Sequence, residues 1–331
     1  MTHTLWMILC IAAVLPNAVA NDTAPIDHER NIKTAQTMLA SGDYAQAFDR
    51  YHTAAVSGHH PLAQFALAQF YQNGWGRAVD RKMACNWFEQ AAQNNIPSAQ
   101  HMTGLCYEAG THRPADPVAA AGWFQRAALA GHLNSYCHLG NLLMTGNGVA
   151  KAPHKALELC RTAALQGSVP AQIWMGKFYL YGDVTLRNPQ HAYTWFLAAA
   201  QKHAPEAFYH LGMILDQGIV GDHSTAQTRQ LFEQAAALKY VPAYFQAGKH
   251  FFAMEPDAET NKLPADQLAK AYLWISAAIQ QSEDTEEIAA AQEIRQQILA
   301  VMPQTWLAEL DRKVAQHVRP DKTVFSSGDT P

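Results

Sequence analysis

The chain is poor in charge. Asp, Glu, Lys and Arg make up 16% of its 331 residues, with 24 Lys+Arg against 28 Asp+Glu. A net charge of −4 leaves no basic excess to neutralise phosphates, so nucleic acid is not an expected partner. Five cysteines are too few for a small disulfide framework. Beyond the first twenty residues no apolar run approaches the ~20 residues that a membrane-spanning helix needs. Catalytic signatures are missing too: there is no Ser-x-x-Lys, Lys-Thr-Gly, Gly-x-Ser-x-Gly, His-Glu-x-x-His or Cys-x-x-Cys. Gly146-Asn147-Gly148 is read as a turn, because no strand precedes it and no Lys-Ser/Thr follows. What the chain does have is 49% apolar and 10% aromatic residues, enough to bury a core.

Residues 1–20 stand apart. Leu5 to Leu15 is almost wholly apolar and is followed by Pro16 and the small-residue motif Ala18-Val19-Ala20. That order predicts a signal peptide cleaved after Ala20, and a mature protein in the periplasm or secreted. Cys10 follows Leu9 inside the apolar run, where a lipidated cysteine would need a small neighbour, so no lipid anchor is expected.

Periodicity decides the fold. Gly74, Gly110, Gly146, Gly182 and Gly218 are spaced 36 residues apart every time. Six residues before each stands a small residue: Ala68, Gly104, Gly140, Gly176 and Gly212, with Gly248 in a sixth copy. Thirteen residues after each comes Trp87, Trp123, Leu159, Trp195 or Leu231, and four later an alanine. Ala63, Leu67, Ala68 and Tyr71 recur at helical spacing and form the apolar face of a leading helix. Ala84, Trp87, Phe88 and Ala91 do the same for a trailing helix. Asp80, Asp116, Asn188 and Ser224 are expected to cap the trailing helices, and the glycines to end the leading helices in the left-handed conformation. Such a pair cannot bury its face alone, so pairs stack.

The motif Ala63-x4-Ala68-x2-Tyr71-x2-Gly74, then Asp80-x3-Ala84-x2-Trp87-x3-Ala91, resembles the Sel-1-like repeat, a relative of the tetratricopeptide repeat. The resemblance implies an all-α, α/α superhelical solenoid of about six 36-residue helix-turn-helix repeats over residues 61–281. Residues 21–58 read as a degenerate first hairpin, 282–318 as capping helices around Pro303, and 319–331 as a tail. The third repeat departs, with Ala152 at the cap and Cys160 in place of Phe. The acidic 255–264 insertion is expected to protrude.

Sixteen histidines need an account. His59, His60, His112, His132, His154, His191, His203 and His223 fall in or beside turns and read as solvated polar residues. No metal and no cofactor is expected. Trp87, Trp123, Trp195 and Trp274 read as core. Four cysteines follow the signal segment; Cys85 and Cys106 lie about equally far from the turn at Asn94–Pro97, which favours their pairing. Cys137–Cys160 and buried free thiols remain the alternatives.

A protein or peptide is the expected partner. Stepping ~100° per residue from Ala63, the positions opposite the core face are Phe65, Gln69 and Gln72. Moving by 36 adds His101, Leu105 and Glu108; Cys137, Asn141 and Met144; Ile173, Lys177 and Leu180; Tyr209, Met213 and Asp216; Phe245, Lys249 and Phe252. Only four of these eighteen are charged, which suits a concave binding wall better than a solvated face. The first of the three rows is open to a second reading, burial between neighbouring leading helices. The resemblance implies an exported interaction scaffold that is not an enzyme. Its alternative is a β-lactam or cell-wall hydrolase of the kind described for some secreted relatives. Amino-terminal sequencing of the exported protein should begin at Asn21; a mature chain beginning at Met1 contradicts the signal reading.

Overall fold

The computed structural model describes residues 28–221, 224–254 and 263–319. Residues 1–27, which include the segment read as a signal peptide, positions 222–223 with His223, positions 255–262 of the insertion and the tail from 320 lie outside them. An N-terminal hairpin of α1 (His28–Ala40) and α2 (Tyr44–Ser57) comes first. Then follow α3 (Pro61–Asn73) with α4 (Arg81–Gln93), α5 (Pro97–Ala109) with α6 (Pro117–Leu129), and α7 (Leu133–Thr145) with α8 (Pro153–Leu165). The series continues through α9 (Val169–Tyr181) with α10 (Pro189–Ala200), α11 (Pro205–Asp216) with α12 (Thr225–Ala237), and α13 (Val241–Phe252) with α14 (Ala265–Gln281). The chain then forms α15 (Thr285–Val301) and α16 (Leu307–Val318). Among the described residues there is no strand, so the fold is an all-α repeat solenoid.

Local chemistry explains the boundaries. Asp80 and Asp116 accept from the N–H groups of Met83 and Ala119 at 3.0 Å, and Asn188 from that of His191 at the same distance. Ser224 and Gln227 form a reciprocal capping box at the start of α12. Ala152 offers α8 no side-chain cap. Gly74, Gly110 and Gly146 end their helices at φ 69°, 64° and 79°, where a side chain would be strained. Gly182 departs from the expected pattern: it is extended, at φ −69° and ψ −157°. Glycine is still required there, because a Cβ would run into the Phe178 carbonyl.

The tightest contact is between the small-residue column and one ring from the partner helix. A Cβ on Gly104, Gly176 or Gly212 would meet Phe124, Phe196 or Phe232 at 2.5, 2.6 and 2.8 Å. These phenylalanines are fully buried, whereas Trp87, Trp123 and Trp195 one residue earlier are only partly so. Trp274 alone of the four tryptophans is a core residue, at 7% exposure. In the third repeat Cys160 replaces the ring and lies under Gly140. At the C-terminal end Tyr244, Tyr272 and Trp274 make a larger core that α15 and α16 cover. The Tyr272 hydroxyl donates to Asp311 at 2.7 Å, which ties α14 to α16.

Two disulfides staple the middle of the array. Cys85 on α4 joins Cys106 on α5 in the next repeat, with Cα atoms 5.8 Å apart. Cys137 on α7 joins Cys160 on α8 within one repeat, at 4.6 Å. Closing a loop of 21 residues contributes roughly 3 kcal/mol through the unfolded chain.

The glycine contacts predict opposite signs for one substitution. Gly122 lies on α6 with nothing within 4 Å of its would-be Cβ, so Gly122→Ala should stabilise by about 1 kcal/mol. Gly176→Ala should destabilise by up to about 2 kcal/mol, because overpacking against Phe196 exceeds the gain in helix propensity. Urea unfolding of the two variants measures both.

Candidate binding face

The three rows on the leading helices separate clearly in the structure. Members of the first row are packing residues. Phe65 meets Phe88 at a ring distance of 5.6 Å, Cys137 is in a disulfide, and Tyr209 and Phe245 are half-buried against the C-terminal core. His101 and Ile173 are 6% and 8% exposed, so neither offers an accessible wall. The cause is that this position on a leading helix meets the trailing helix of its own repeat as well as the start of the next leading helix. In the second row Asn141, Lys177 and Lys249 are exposed, while Gln69, Leu105 and Met213 are half-buried. In the third, Gln72 and Asp216 are exposed, and Glu108, Met144, Leu180 and Phe252 are half-buried.

Several of these side chains also bridge successive leading helices. His138 Nδ1 lies 3.6 Å from Glu108, and His250 Nε2 lies 3.1 Å from Asp216. Lys177 pairs with Glu206, and His210 Nε2 lies 3.7 Å from the same carboxylate. The Tyr181 hydroxyl meets His210 Nδ1 at 3.3 Å. The His210 ring and the Lys177 ammonium hold the Glu206 carboxyl down at about 2, against the opposing effect of burial. Burial, with Glu206 and the neighbouring tyrosines adding to it, pushes Tyr240 up to about 12.

The histidines are where the structure goes beyond the sequence reading. His101, His138, His210 and His250 sit on leading helices, and His138 and His210 occupy one repeat position two periods apart. That spacing was the available signal. His101 and His132 stack at 4.4 Å, and the Nδ1 of each lies 2.9 Å from Ser135 Oγ. Ser135 is 0% exposed. Burial, reinforced by His132 and His138, lowers His101 to about 3. His112, read from the sequence as a solvated turn residue, has a side chain only 2% exposed.

Stacked helix pairs with a shared face on their leading helices define an α/α repeat solenoid. Residues 61–96, 97–132, 133–168, 169–203 and 205–240 each match the Sel1 repeat, and the chain belongs to that family. The match leaves out the α1–α2 hairpin and everything from α13 onward. A Sel1 repeat protein from Oxalobacter formigenes superposes with a TM-score of 0.65 over 76% of this chain and 100% of that one, at 24% identity. A protective antigen of uropathogenic Escherichia coli displaying an SLR fold gives 0.57 over 88% of this chain and 62% of that one, also at 24%. These likenesses concern the fold. No curated protein matches the chain.

The neutral, buried state of His101 sets a pH dependence. Its folded-state pKa lies below the 6.5 of the free side chain, so only the unfolded chain takes up its proton as pH falls from 6.5 toward 3. Stability present above pH 6.5 is therefore lost across that window. Thermal melts from about pH 7 down to about pH 4 should show a falling Tm, and His101→Gln should flatten part of that slope.

Proposed function

We propose that this protein is an exported scaffold that binds a protein or peptide on the face formed by its leading helices. The observation that carries the reading is the pairing of open polar and half-buried apolar side chains along that face. Asn141 and Lys177 stand beside Met144 and Leu180, and Asp216 and Lys249 beside Met213 and Phe252. A peptide laid across such a surface finds apolar contacts and hydrogen-bonding groups at a repeating interval. Export is supported by the segment 1–20 and by two cysteine pairs, since disulfides persist in oxidising compartments. The hydrolase alternative has less support. The serine that meets histidines, Ser135, is fully buried and out of reach of a substrate.

Three measurements separate the readings. A photo-crosslinking residue at Leu180 or Phe252 should capture a partner in cells, while one at Leu129, exposed on α6, should not. With the partner in hand, Lys177→Ala, Asp216→Ala and Phe252→Ala together should weaken binding at least about tenfold without changing the helical circular-dichroism signal. Unchanged affinity in that variant, or capture at Leu129 alone, places the site elsewhere. Nitrocefin turnover by the purified mature protein would favour the hydrolase instead.

A further inference from the structure

The Cys85–Cys106 disulfide has a third chemical neighbour. Ligand atoms of Cys85, Cys106 and His112 all lie within 4.8 Å of one another. Both cysteines are buried, and the His112 side chain is 2% exposed. Neither ring nitrogen of His112 makes a hydrogen bond. Nδ1 in particular is buried with no hydrogen-bond partner, which is unfavourable. The ring is held edge-on to Tyr107 at 5.2 Å. Beyond it stands Glu89, whose Oε2 lies 3.4 Å from His112 Nε2. The Tyr107 hydroxyl donates to Glu89 at 2.9 Å and Arg113 to the same carboxylate at 2.6 Å, so its position is fixed.

Two thiols and an imidazole converging in a buried space are the donor set of a thiophilic d10 cation. Three protein ligands leave a fourth position for water. We propose that Cys85, Cys106 and His112 form a zinc-class metal site in the dithiol state, so that the disulfide and the cation are alternative occupants of one place. Reduction by a dithiol breaks the S–S bond, takes up two electrons and two protons, and leaves two thiols while the reductant becomes a disulfide. A divalent cation then forms two S–metal bonds and releases the two thiol protons to water. Thiolates on ~2.3 Å arms of a tetrahedron stand ~3.8 Å apart. Rotation of the two side chains supplies that separation across Cα atoms 5.8 Å apart. Glu89 and Arg113, beside the cluster, also line a surface cleft with Trp87 and Gln90. Cys137 and Cys160 have no third donor at this range among the described residues, so the second pair is an internal control.

The test uses the full mature chain, reduced with a phosphine that is removed under anaerobic conditions. Cobalt(II) should give a thiolate-to-metal charge-transfer band that saturates at one equivalent, and zinc(II) should abolish it. The oxidised protein should give none. His112→Asn should weaken cobalt binding about tenfold or more while the circular-dichroism signal is retained. A second readout needs no variant: zinc should slow alkylation of Cys85 and Cys106 but not of Cys137 and Cys160, as mapped by peptide mass spectrometry. The proposal is overturned by absence of the band, by equal alkylation of all four cysteines with zinc present, or by His112→Asn binding cobalt as tightly as the parent.

Discussion

Close approach of a small residue on a leading helix to its trailing partner, a glycine on a phenylalanine in three of the pairs, sets the spacing within a pair, and the rest of the solenoid depends on that spacing. A bare backbone lets the ring of Phe124, Phe196 or Phe232 lie directly against the leading helix, so one side chain and not two separates the pair. The contact recurs in register with the thirty-six-residue period. Each pair must present the same thickness to its neighbours if the stack is to continue. Where the ring is missing, as at Cys160, the same place is filled by a disulfide to the facing helix.

Once the pairs stand at that distance, the leading helices lie near enough to exchange charge. Glu108 with His138, Glu206 with Lys177 and His210, and Asp216 with His250 form a discontinuous ladder across the face. Pairs of this kind contribute modestly to stability. Their main effect is to fix which side chains turn outward. Lys177 and Asp216 are committed to a neighbour on one side and open to solvent on the other. The face is therefore a preorganised mosaic.

Much of the architecture was legible in the sequence because it is periodic. Small residues, rings, caps and glycines each recur in register, and the helix bounds follow them. Gly182 escaped, since a glycine at a helix end permits both the left-handed and the extended conformation and sequence does not distinguish them. The face was legible only in part. A helical wheel places Phe65 and His101 opposite the intrapair core, but each sits where a ring of its own trailing helix, Phe88 or Phe124, meets the start of the next repeat. His59, His154, His191 and His203 are exposed as expected, but His112 was misread for a related reason. A turn residue such as His112 exposes its backbone, yet the adjoining ring of Tyr107 and the carboxylate of Glu89 enclose its side chain.

The two disulfides differ in what they connect, and the difference is mechanical. Cys137–Cys160 closes a hairpin inside one repeat, whereas Cys85–Cys106 links two successive repeats. A solenoid pulled from its ends lengthens by peeling pairs away in turn. Chain between bonded cysteines carries no load, so 21 and 23 residues, each worth roughly 70–80 Å of extended length, stay out of the stretch. The stretches 85–106 and 137–160 thus behave as two inextensible inserts in the array, and tension on a bound partner is taken up by the pairs outside them.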